Sequence, residues 1–82
     1  MDAFIGSLSL VAFNFAPQGW MFCQGQTLSI SQNQALFALI GTTYGGDGQT
    51  NFKLPNLTGP TDASGATLNW IIALVGIFPS RG

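Results

Sequence analysis

Cys23 is the only cysteine in the 82-residue chain, histidine is absent, and the acids are Asp2, Asp47 and Asp62. A thiol nucleophile needs a base to take its proton, and acid–base catalysis needs two positioned titratable groups. No two of the aspartates are neighbours in sequence, and Lys53 and Arg81 are the only cations. Cys23 stands between Phe22 and Gln24 in a short apolar stretch, where a thiol is expected to be buried and inert. One cysteine without histidine makes neither a zinc site nor an intrachain disulfide. The residue types therefore assign no catalytic, cofactor-binding or metal-ligating position, and the chain is not expected to be an enzyme.

Two stretches come close to ligand or modification motifs. "YGGDGQT", residues 44–50, is glycine-rich around Asp47, but it lacks the Gly-Lys-Ser/Thr ending of a phosphate loop and the spaced acids of a calcium loop. It is expected to be a tight structural turn built on Gly45, Gly46 and Gly48. Asn56-Leu57-Thr58 fits the glycosylation triplet, a weak signal that matters only in a cell that modifies such triplets.

These residues sit in an unusual background. Charged side chains make up 6% of the chain, against about 25% in an ordinary soluble protein. The apolar fraction is an ordinary 46%, so the composition is not that of a disordered chain. A net charge of −1 with two scattered cations excludes the clustered Lys and Arg that phosphate backbones require, so no nucleic-acid partner is expected. The apolar run "LNWIIALVGIF" is too short for a bilayer that needs about 20 residues, so no membrane insertion is expected. "MDAFIGSLSL" carries an acid where a signal peptide carries basic residues, so a secretory leader is not expected. A domain of this size buries only about 60–65% of the surface its unfolded chain exposes, and small domains close that deficit with disulfides, metals or partners. With the first two excluded, the expected partners are copies of the chain itself.

The positioning elements follow from periodicity. "FIGSLSLVAF" alternates in part and reads as a half-buried strand, "NFAPQGW" as a turn, and "WMFC" as a short second strand. In "SISQNQALFALIG", Ser31 is placed as an N-cap with Gln34 completing a capping box. Leu36, Leu39 and Ile40 share a face, and Gly41 stands at the left-handed stop, which predicts a helix over about 31–41. Pro55 holds "LPNL" extended. "LNWIIALVGIF" reads as a buried strand, with a buried helix as the weaker alternative.

The block "FAPQGWMFCQGQ…ISQNQALFALIGTTYGGDGQTNFKLPNLTGP", preceded by "MDAFIGSL" and followed by "LNWIIALVGIFPSRG", resembles the phage tail collar domain found in short tail fibres and in microcystin-dependent proteins of bacteria. The likeness covers nearly the whole chain in order and spacing. Family members are often about twice as long, with a large segment between the "LPDL" and "LNYIIAL" blocks that bears a receptor-binding tip and, in some, metal-binding histidines. Here that segment has shrunk to about residues 59–67, so neither property is carried over. Gln24 and Asn56-Leu57-Thr58 replace charged residues of the usual pattern.

The resemblance implies a single α+β domain over residues 1–82, a small mostly-β collar-type knob with one short helix, assembled as a homo-oligomer with trimers as the family expectation. The expected function is that of a self-assembling structural subunit, located in a virion tail or an extracellular filament or appendage. It would contact copies of itself and other tail or appendage subunits. The expected contacts are Phe4, Ile5, Leu8 and Leu10 near the start, and Trp70, Ile71, Ile72, Leu74, Ile77 and Phe78 near the end. The alternative is a receptor- or glycan-binding module acting through loops around Trp20, Tyr44 or Trp70.

Overall fold

The computed structural model describes residues 3–80. Its elements in chain order are β1 (Leu8–Val11), β2 (Trp20–Phe22), β3 (Thr27–Ser29), α1 (Gln34–Ile40), β4 (Asn51–Lys53) and β5 (Asn69–Ala73). The domain is mostly β with one short helix, as expected.

β5 is the organising strand. It lies between β1 and β2 in a three-stranded antiparallel sheet, pairing Ile72 with Leu8 on one side and with Met21 on the other. Ile71, Ile72 and Ala73 are all buried. Successive strand residues point to opposite faces, so β5 is covered on both, which explains an apolar run that does not alternate. The strand is shorter than "LNWIIALVGIF": it ends at Ala73, and the chain bends through Gly76 before Ile77 pairs with Phe4 in a parallel bridge. A Cβ on Gly76 would fall 2.1 Å from the Ala3 carbonyl oxygen, so only glycine lets these two segments close up.

β3 and β4 form a separate antiparallel pair that closes the segment holding α1 and the glycine-rich turn. Leu36 of α1, Phe52 of β4, Leu54, Cys23, Ile5 and Ile72 form the core, with Met21, Trp70 and Leu74 packed against it. The core thus unites the helix, both sheets and the extended Leu54–Pro55 segment. Pro55 is itself buried, and its carbonyl accepts the Gly25 N–H at 3.2 Å.

The helix begins later than expected. Its N-cap is Asn33, not Ser31, and Gln34 is the first helical residue rather than the closing member of a capping box. The Asn33 side-chain amide instead donates to the Ser29 carbonyl at 3.0 Å, while the Ser29 and Ser31 hydroxyls share a hydrogen bond at 2.9 Å. Residues 30–33 form a turn closed by the Asn33 N–H on the Ile30 carbonyl. That turn carries the chain out of β3 and occupies the residues a first helical turn would need. The expected stop holds: Gly41 has φ +56° and donates to the Phe37 carbonyl at 2.8 Å.

Residues 59–67 end in a small closed hairpin. Thr61 and Thr67 pair in an antiparallel bridge, and Gly65 at φ +92° supplies the reversal. Asp62 Oδ1 accepts hydrogen bonds from Ser64 N–H, Ser64 Oγ and Ala66 N–H. These bonds hold the Asp62 carboxyl below its ordinary range, led by the Ser64 hydroxyl.

Candidate assembly surface

The residues that could have done chemistry are engaged in structure. Cys23 is 1% exposed and belongs to the core, and burial pushes its thiol pKa up, away from the thiolate. Asp47 is surrounded by donors: Oδ1 accepts N–H groups from Gln49, Thr50 and Asn51, and Oδ2 accepts the Thr50 hydroxyl. These bonds, with Thr50 and Gln49 N–H first, hold its carboxyl well below the usual carboxylate range. Gly45, Gly46 and Gly48 all have positive φ, and a Cβ on Gly46 would lie 2.4 Å from the Phe52 Cα. The loop packs directly onto a core strand, with the Lys53 N–H donating to the Gly45 carbonyl at 3.1 Å. The described residues gather no group of three His, Cys, Asp or Glu fit to hold a metal ion.

The exposed apolar residues carry the stronger signal. Phe4, Leu8, Leu10, Phe13, Phe15, Val75, Ile77 and Phe78 are each exposed by more than a third of their surface. Apart from Tyr44 and Leu57, the exposed large apolar residues fall on two stretches, 4–15 and 75–78, that the sheet and the Phe4–Ile77 bridge bring side by side. Phe13 and Phe15 stack with ring centroids 4.8 Å apart. No charged residue occurs between Ala3 and Gly46 or between Ala63 and Ser80, so like charges do not oppose contact between copies there.

Pairing shows why β1 is open. Residues directly opposite in an antiparallel pair share a face, so Leu8 and Leu10 lie on the face of Ile72 and Trp70. Ile72 is buried in the core and Trp70 packs against it, whereas Leu8 is 43% and Leu10 37% exposed. The apolar face of the sheet therefore continues past its own cover. β1 is also an edge strand and carries neither Lys nor Pro, the residues that usually blunt an edge.

The expected contact set divides accordingly. Phe4, Leu8, Leu10, Ile77 and Phe78 offer exposed side chains. Ile5, Ile71 and Ile72 are buried within the protomer, and Trp70 and Leu74 pack against its core. The first three leave little side-chain surface for a neighbour, whereas Trp70 and Leu74 are half-buried. Phe13, Phe15 and Val75 join the exposed set without having been expected there. For the first two, the available signal is "FNF" at 13–15, a pair of phenylalanines around Asn14 where the expected strand gives way to the turn.

The phage tail collar domain matches residues 6–61 of the chain. No curated protein and no solved structure matched. No helix among the described residues is long and apolar enough to cross a membrane.

Proposed function

The chain belongs to the phage tail collar domain family, a structural family of phage tails, and on that premise we propose that it is a self-assembling subunit of a tail fibre or a tail-fibre-like extracellular appendage. The observation that carries the reading is the uncharged apolar band on residues 4–15 and 75–78, continuous with a free strand edge. Exposed apolar surface of this kind marks contact sites, and an unpaired edge offers backbone groups to another chain. A copy seated on β1 would cover Leu8 and Leu10 and extend the apolar face of the sheet. Contacts that close by rotation give a trimer, and head-to-tail contacts that do not close give a filament.

Negative-stain electron microscopy with mass measurement on the same sample tests this. Discrete oligomers or uniform fibres are expected. Leu8→Glu combined with Phe78→Glu should reduce the particle to a folded monomer. A monomeric native protein would overturn the proposal.

A further inference from the structure

A pocket of about 240 Å³ opens beside the first residues of β5, between Phe22–Gln24, residues 56–59 and residues 67–70. The walls combine Trp70 and Phe22 with the polar side chains of Gln24, Asn56, Thr58 and Thr67, and no charged residue lines it. Asn69, also in the wall, is anchored through its amide to the Phe13 carbonyl at 3.0 Å. Gln24, Asn56, Thr58 and Thr67 are exposed, and their side-chain amides and hydroxyls make no hydrogen bond with the other described residues. Their donors and acceptors are available to a ligand.

We infer that this pocket is a binding site for a neutral sugar unit. An ionised ligand would find no counter-charge there, and a wholly apolar one would strip water from the polar groups without replacing their hydrogen bonds. A pyranose supplies hydroxyls for the two amides and two threonines, and a C–H face for the indole. The volume lies below the roughly 300–1,000 Å³ of pockets that enclose drug-sized ligands, so it suits one ring rather than an oligosaccharide. The pocket lies at the Asn69–Trp70 end of β5, while Val75, Ile77 and Phe78 lie beyond the other end. Its wall residues Asn69 and Trp70 pair with Val11 and Leu10 of β1, so a copy seated on β1 would lie beside the pocket, and sugar binding and assembly are read separately in the test.

The test is equilibrium dialysis of the purified protein, in whatever assembly it forms, against radiolabelled galactose, N-acetylglucosamine, rhamnose and glucuronate. At least one neutral sugar should bind at millimolar concentration, and glucuronate should not. Asn56→Ala and Thr58→Ala change exposed side chains, and each should weaken binding about five- to tenfold, the loss of one hydrogen bond. Absence of binding by every neutral sugar overturns the inference, as does preference for glucuronate or binding unchanged in both variants. Particle mass is measured on each sample, so loss of assembly and loss of sugar binding are read separately.

Discussion

Phe4 and Ile77 face each other in a parallel bridge: the Ile5 N–H donates to the Ile77 carbonyl at 2.9 Å, and the Ile77 N–H donates to the Ala3 carbonyl at 2.8 Å. The two segments are tied by backbone, so their side chains are free to face outward. Phe4 is 56% and Ile77 49% exposed. The bridge thus holds apolar groups at the surface that a short unpaired segment would not keep in position.

Charge at the surface and charge in the core should have different effects. Ile72→Asp places an uncompensated carboxylate in the centre of the sheet and should unfold the protomer. Leu8→Asp, on the neighbouring strand, should leave the circular dichroism spectrum unchanged while lowering the particle mass. Equal loss of fold in the two variants would show that β1 is covered within the protomer.

Gly46→Ala should destabilise by about 1–3 kcal/mol, because the added Cβ meets the Phe52 backbone at a positive φ. Thermal unfolding measures it. Gly41→Ala is the comparison: the position also has positive φ but nothing lies within 4 Å of the new Cβ, so the loss should be smaller.

Acid should weaken the protein through its aspartates. The folded-state pKa of Asp47 is depressed, so the stability it contributes is present above the unfolded value of about 3.9 and is lost as pH falls below it. Melting temperature should therefore drop from about pH 4 downward. In Asp47→Asn the side chain still accepts hydrogen bonds but does not titrate, and the drop should be shallower. A profile identical to that of the native chain would remove Asp47 from the acid response.

The hairpin at 61–67 should accept added sequence. Residues 61–67 are all exposed, and the Thr61–Thr67 bridge closes the stem. A flexible insertion after Ala63 gives up the exposed Asp62 bonds to Ser64 and Ala66 and adds on the order of 0.6 kcal/mol per doubling of loop length. Melting temperature and particle mass should both stay near the native values. We propose that this hairpin stands where longer relatives carry their central segment.

How much of the fold is legible in the sequence depends on whether the deciding information is local. The unbroken apolar run at Trp70–Ala73 and the glycine at position 41 signal a buried strand and a helix stop through nearest neighbours, and both are present. The Leu8–Leu10 alternation marks a strand but not its exposure, which follows from β1 lying at the sheet edge beyond the core. In the sequence, Ile5, Ile71 and Ile72 look equally fit for contacts between copies. Register and long-range packing alone place them inside. β3 and β4, three residues each, are too short to show a period. The pocket joins Gln24, Asn56 and Thr67, which no local pattern associates.

The central position of β5 also sets an order of events during synthesis. β1 and β2 touch only β5 in their sheet, and β5 lies 46 residues after the end of β2, counting Cys23 to Leu68. Until Asn69–Ala73 has left the ribosome, neither strand has its partner, and the three-stranded sheet cannot exist. Closure of such distant pairings is slow relative to local structure. The apolar band on β1 is therefore displayed in its final form only by a chain that has already completed its own sheet, so a half-made subunit has no finished edge to offer a neighbour.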